Sequence, residues 1–495
     1  MILTISLLVP LLAALLLAFP LHWPQRYYRG FATGIALVPC LLLVIAWVNF
    51  DTRGSLFQHV HEVPWVPSLG MAWRVGADGI ALAVATMSSF LIAGAAFYPV
   101  DTYGRARQYY AWILFLQAVS LGVFLALDLL LFYVFFDLNL VAMYFLIARW
   151  GHGKARFAAT KFFLFTLCGS LALLLGILGL YLSVEPRTFD MRILIEQQPL
   201  AGTGLLASLV FLGLMVGLII KTPLAPLHTW LPQAHVDSPG PVSAILAGVL
   251  LKMGTYGMIR IPYSMMRQTF EQYALAIAVL ALVSILYGAL VALAQHNLKR
   301  RIAYTSINHM GYTVLGIAAA GALMSDSPMA QRLALTGATV EMVAHGLITG
   351  SLFFITGSFW QRTREYDLDA YGGLAAKAPV LAFAMVLAAF ASFGLPGLAG
   401  FVAEFQIFAG TFAIYPWLAS IGLLGILITA ALFLQMLQKL FFGSLPQRWT
   451  EFTDLGRDER LVLAVLLLAV VVIGIYPNVL LGPIEASVTL LVGRP

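Results

Sequence analysis

Apolar runs of about 20 residues, separated by short polar connectors, account for most of this chain. Fourteen runs are read, at about 2–20, 31–50, 79–99, 110–127, 129–148, 160–183, 204–232, 242–264, 273–294, 301–322, 333–360, 379–412, 417–442 and 461–481. As a helix, each is long enough to cross roughly 30 Å of hydrocarbon. The pattern therefore predicts an all-α polytopic membrane protein with about fourteen transmembrane helices. The first run begins at Met1 without a basic leader or a small-residue cleavage site. It is expected to be a retained span and not a signal peptide. The longest connector, about 51–78, carries Pro64, Pro67 and interspersed aromatics, and a short hairpin is expected there.

Two runs are interrupted. The seventh reads GLIIKTPLAPLHTWLP, with Pro223, Pro226 and Pro232 just after Lys221. The twelfth reads FGLPGLAGFVAEF, with Gly394, Pro396, Gly397 and Gly400 just before Glu404. Proline removes a backbone donor and clashes with the preceding turn, so these helices are expected to break. Unwound backbone at membrane depth survives only where protein or a wet cavity surrounds it. Broken helices at matching positions in two halves mark the site of an inverted-repeat transporter. The breaks lie five spans apart, an odd offset, which predicts inverted repeats of spans 4–8 and 9–13. The expected division is a three-helix segment at 1–109, a first five-helix repeat at 110–264, a second at 273–442 and a C-terminal helix segment at 443–495. The blander alternative is a pair of ordinary packing kinks.

Composition narrows the function. The 495 residues are 61% hydrophobic and 10% charged, whereas soluble domains are about 25% charged. Soluble and disordered classes are excluded. The net charge of +6 is spread over the connectors, which argues against nucleic-acid binding. Cys40 and Cys168 are isolated in apolar runs and offer no iron–sulfur, zinc or CxxC spacing. Of the 28 Lys and Arg, 18 fall in alternate connectors on one side, and eight (Arg53, Arg74, Arg187, Arg192, Arg260, Arg267, Arg332 and Arg494) on the other. The positive-inside rule puts the larger set in the cytoplasm and both termini outside. The two left over are Lys221 and Lys252, inside the runs.

A charge at the bilayer centre costs at least about 2.5–3.5 kcal/mol, so such residues usually serve transport. The interior set is Asp137, Lys221, His228, Lys252, His309, Glu341, His345 and Glu404. Any single histidine here could be a satisfied core residue, but the full set is not explained that way. It contains no carboxylate cluster or His/Cys motif with metal spacing. Acids, amines and imidazoles share one chemistry, proton exchange. Glu341 and His345, four residues apart, are expected on one helical face within reach of each other.

The stretches LLFYVFFDLNLVAMYFLIARWG, IIKTPLAPLHTWLPQAH, LLKMGTYGMIR, NLKRRIAYTSINHMGY, MVAHGL and LPGLAGFVAEF resemble the antiporter-like membrane subunits of respiratory complex I, nearest its M (ND4) type. The resemblance covers essentially the whole chain. It implies that Asp137 and Lys221 form a coupled pair and that Lys252 is the central relay. By the same resemblance His228, His309 and His345 connect half-channels, and Glu404 is the exit-side member. The family usually has glutamate where this chain has Asp137, and an uncharged residue where it has Glu341. The resemblance also implies a proton-translocating subunit of NADH:quinone oxidoreductase in a bacterial inner membrane, with L- and N-type subunits on either side. NADH, FMN, iron–sulfur clusters and quinone would then belong to partner subunits, and this chain would hold no cofactor. The sequence shows no GxGxxG after a strand and no P-loop.

Two relatives of that reading stay open: a multisubunit sodium/proton antiporter, and a membrane-bound hydrogenase or formate hydrogenlyase. A purely structural subunit has no physical reason to keep charges inside the membrane. Quieter features are read plainly. RWGHGKARFAATK is expected to set topology and touch anionic lipid. Asp128 is expected to be solvated. Tyr304 and Ser306 are expected to satisfy helix contacts, and His235 and Asp237 either to cap a helix or to line an entrance.

Overall fold

A computed structural model describes residues 1–20, 23–322 and 327–493. Helices dominate, and they coincide with the apolar runs. The order is α1 Ile2–Ala18, α2 Gln25–Val48, the hairpin β1 Gln58–Val66 and β2 Met71–Ala77, then α3 Gly79–Phe97, α4 Ala106–Leu125, α5 Leu129–Trp150 and α6 Ala155–Leu182. After the short α7 (Met191–Gln197), α8 Leu205–Lys221 and α9 Leu231–Asp237 divide one run between them. Next come α10 Gly240–Ile245, α11 Leu251–Met258, α12 Arg267–Leu293, α13 Leu298–Ala320 and α14 Pro328–Thr363. A second divided run supplies α15 Pro379–Ser392 and α16 Ala399–Ile414, followed by α17 Pro416–Phe441, α18 Arg457–Ile475 and α19 Asn478–Val492. Among the described residues nine helical segments are long and apolar enough to cross a membrane, or ten with the bent pair α18 and α19. The chain is a multi-pass membrane protein.

The expected hairpin is present and antiparallel. It is pinned by ions: Arg74 reaches Glu62 at 2.8 Å, Asp128 at 2.9 Å and Asp190 at 3.4 Å, while Arg192 bridges Glu62 and Asp190. Partial burial alone would raise the Glu62 carboxyl, but hydrogen bonds from Arg74 and Arg192 outweigh it and hold it below its ordinary range. Asp128 is not solvated as expected. It is buried, caps α5 by accepting from the Leu130 and Leu131 amides, and pairs with Arg74.

Two elements form the centre. One is α14. The other is the segment Gly240–Tyr263, in which α10 and α11 are joined by a π-helical turn at Leu246–Leu250 and followed by another at Ile259–Tyr263. Gly240–Tyr263 and residues 334–359 of α14 are buried throughout. Glycines let them touch. A Cβ on Gly240 would fall 2.6 Å from the Gly357 Cα, and one on Gly248 would fall 3.1 Å from the Gly346 carbonyl oxygen.

Three basic residues counted as connector charges are buried instead: Lys299, Arg301 and Arg260. Arg260 pairs at 2.6 Å with Asp78, the N-cap of α3. Burial here needs that partner, because an unpaired interior charge is strongly unfavourable. Arg494 lies outside the described residues. The C-terminal stretch also differs from expectation, since α18 ends at Ile475 and α19 leaves it at 69°. Pro477, which cannot continue α18, stands at that bend.

Candidate functional site

The breaks sit where proline and glycine place them. α8 stops at Lys221, and Pro223 and Pro226 occupy the turns before α9. α15 stops at Ser392, and Gly394 and Gly397 take φ of +73° and +90° before α16 begins. Gly394 is required twice over. Its φ suits glycine, and a Cβ there would fall 2.3 Å from Glu404 Oε2. The break therefore makes room for the carboxylate.

Around the second break, four helices bring titratable side chains together. Lys252 Nζ, on α11, donates to the Ala247 carbonyl at 2.7 Å and lies 2.6 Å from His345 Nδ1 on α14. The Ala247 carbonyl belongs to the π-helical turn, so the irregularity directly shapes the lysine's surroundings. The His345 ring is 5.3 Å from that of His309 on α13, centroid to centroid. His309 Nδ1 lies 3.1 Å from Glu341 Oε1 and 3.9 Å from Glu404 Oε1, and its Nε2 lies 3.1 Å from Ser392 Oγ. Lys252, His345, His309, Glu341 and Glu404 are all buried. Glu341 bonds His309 on the neighbouring helix and not His345 on its own.

Asp137 and Lys221 stand apart from this cluster. Among the described residues Lys221 Nζ has no hydrogen-bond acceptor and lies 4.7 Å from the centre of the Phe136 ring, a cation–π contact. Asp137 is half-buried and acts on the ammonium through space without an ion pair. A Cβ on Gly254 would fall 2.1 Å from Thr222 Oγ1, so the end of α8 packs directly on α11, two residues from Lys252. His228, within the first break, lies among the rings of Tyr287 and Tyr304 and makes none of the cluster's contacts.

Towards the ends of α9 and α13 a second polar group is buried that sequence reasoning undervalued. Lys299 Nζ donates to the Ser238 carbonyl, and His235 stacks on Phe353 at 4.3 Å. Neither His235 ring nitrogen has a partner among the described residues. His152, in the basic connector, stacks on Trp360 at 3.9 Å and lines a cavity of about 40 Å³ with Asp101, Trp150 and Arg364. Burial and the nearby Lys299 charge push its imidazole down to about 3, so it stays neutral. No local signal distinguishes Lys299 from the two arginines that follow it. Ser392 was also missed, because a serine closing an apolar helix has no motif.

The family described as NADH:quinone oxidoreductase/Mrp antiporter matches residues 126–429, which hold every residue of the cluster. The chain belongs to that family. NAD(P)H-quinone oxidoreductase chain 4 of Prochlorococcus marinus is 35% identical over 99% of this chain and 90% of its own length. The same-named protein of Gloeobacter violaceus is 36% identical over 96% and 90%. A chain of respiratory complex I from Thermus thermophilus, solved with bound NADH, superposes with a TM-score of 0.88 at 29% identity, covering all of both chains. A chain of the Mrp complex from Dietzia has a TM-score of 0.87, covering 99% and 97%, but at 21% identity it shares the fold alone. Within the family this is an antiporter-like subunit of the chain 4 (ND4) type, and its partners are other membrane subunits.

Proposed function

We propose that this chain carries protons across a bacterial inner membrane, driven by electron transfer in partner subunits of a proton-translocating NADH:quinone oxidoreductase. The observation that carries this reading is the buried series from Lys252 through His345 and His309 to Glu341 and Glu404. Lys252 is the central relay. Its ammonium can pass a proton from Nζ to His345 Nδ1, and His345 can release one from Nε2 towards His309. Glu404, set against the break of α15 and α16, takes the exit side. Asp137 and Lys221 form the input pair, and His228 joins them at the first break. NADH, FMN, iron–sulfur clusters and quinone are assigned to partner subunits, with L- and N-type neighbours on either side.

Counting α8 with α9 and α15 with α16 as one span each, and α18 as the last, supports fourteen spans, and the connector charges support both termini outside. Segments 110–264 and 273–442 are proposed as inverted repeats, each holding one break, flanked by 1–109 and 443–495.

The test is proton uptake by inverted vesicles respiring on NADH. Lys252→Ala should abolish uptake while the complex still assembles, because losing a buried charge relieves desolvation. Near-normal uptake by assembled Lys252→Ala would overturn the relay.

A further inference from the structure

The His309 imidazole stands between two carboxylates. Its Nδ1 is 3.1 Å from Glu341 Oε1, a hydrogen bond, and 3.9 Å from Glu404 Oε1, which is too long for one. One ring nitrogen donates its hydrogen to one acceptor, so the two acids compete for it. The other nitrogen faces Ser392 at 3.1 Å and offers no third way out. The titratable groups around Glu341 come from every packed element. They are His309 and Tyr312 on α13, Lys252 on α11, Glu404 on α16, and His345 on its own α14. Of these, Lys252 and Glu404 each feel the Glu341 charge, which makes it the acid that acts on both ends of the series.

We propose that Glu341 is the valve of the path: ionised, it holds His309 away from Glu404, and protonated, it lets His309 go. This rests on the relay reading of Lys252 given above. A hydrogen bond to a charged acceptor is roughly twice as strong as one to a neutral acceptor. With Glu341 ionised, His309 donates to it and Glu404 is left out. When a proton arriving from the Lys252 side neutralises Glu341, the charged acceptor is Glu404, and Nδ1–H turns to it. His309, keeping its other ring hydrogen on Nε2 against Ser392, then delivers the Nδ1 proton to Glu404 and takes one at the same nitrogen from Glu341, which is ionised again and closes the path. One proton moves on per opening, and the number of protons in the cluster is unchanged once it has left Glu404. A glutamate at position 341 thus keeps the entry and exit sides from being connected at once.

The test uses the intact complex in sealed inverted vesicles without NADH, reading how fast an imposed proton gradient decays. Glu341→Gln leaves a neutral acceptor and should open the path permanently, with His309 then reloaded directly from His345, whose ring lies 5.3 Å away. Decay should then run faster by about tenfold, the ratio expected between charged and neutral acceptors. Glu341→Gln with Glu404→Gln should be tight again, because no charged competitor remains. Glu341→Gln with Lys252→Ala should also be tight, because the leak runs through the relay. In a structure of the Glu341→Gln complex, His309 Nδ1 should lie within about 3.2 Å of Glu404. If Glu341→Gln does not assemble, Glu341→Ser carries the same expectations. Tight vesicles with His309 still beside position 341 would overturn the valve, as would a leak that persists in either double variant. Loss of the relay itself shows separately, as normal respiratory pumping by Lys252→Ala alone.

Discussion

Lys252 Nζ and His345 Nδ1 face each other at 2.6 Å across the seam between α11 and α14. With an ammonium donating, Nδ1 must accept, so the imidazole is neutral and carries its hydrogen on Nε2. That nitrogen has no partner among the described residues and is buried. Whenever it carries its ammonium, the lysine selects the histidine's tautomer and points the remaining ring hydrogen away from the bond they share.

His345→Ala should remove the next acceptor while leaving Lys252 its bond to the Ala247 carbonyl. Proton uptake per NADH oxidised should fall to near zero in an assembled complex. His345→Gln, which keeps an acceptor but cannot pass a proton through a ring, should fail equally. Uptake restored by Gln would mean that His345 only positions the lysine.

The Asp137 and Lys221 relationship is looser than the resemblance implied, with the ammonium resting on Phe136 and no ion pair formed. Glutamate, one methylene longer, should close the gap. Asp137→Glu should pump and should show a direct carboxylate–ammonium contact by cryo-electron microscopy. Asp137→Asn should pump poorly, since the charge that acts on Lys221 is gone. Equal pumping by Asp137→Asn and the unaltered complex would detach this acid from the path.

Gly394 and Gly397 form an internal control. Both have positive φ, so alanine at either strains the backbone by about 1–2 kcal/mol. Only Gly394 has Glu404 against it, and a Cβ on Gly397 meets nothing within 4 Å. Gly394→Ala should therefore displace the carboxylate and stop pumping, while Gly397→Ala should lower the melting temperature of the complex and keep pumping. Equal pumping by the two variants would separate the glycine from the acid's function.

Asp78 and Arg260 are both fully buried, and breaking such a pair from one side costs about 3–5 kcal/mol. Asp78→Asn keeps the cap on α3 but strands the guanidinium. Arg260→Met strands the carboxylate. Each single variant should reduce the amount of assembled complex, and the double variant should recover part of it. A double variant worse than both singles would mean the two act independently.

Much of this was legible because lipid imposes simple rules. Apolar length announced the helices, Pro223, Pro226 and Pro396 announced the breaks by removing a backbone donor, and Gly394 did so by its freedom to take a positive φ. Partner choice was not legible. Glu341 and His345 share a helix face at four-residue spacing, yet Glu341 bonds His309, because a face selects neighbouring helices and the sequence does not name which. The π-helical turn at Leu246–Leu250 has no local signal, since its residues suit an α-helix equally well. Arg260 and Lys299 were counted with the connectors because the count weighs position along the chain, not depth in the fold.

The burial of residues 334–359 of α14 and of Gly240–Tyr263 has a practical consequence for the membrane around the protein. Bilayer thickness, chain saturation and detergent act first on the jacket of α2, α6, α12 and α17, whose outer faces are apolar and open. Lys252, His345 and His309 are insulated from that exchange by a complete layer of protein. The same buried interior can thus be housed in bilayers of quite different lipid content, with adaptation confined to the outer helices.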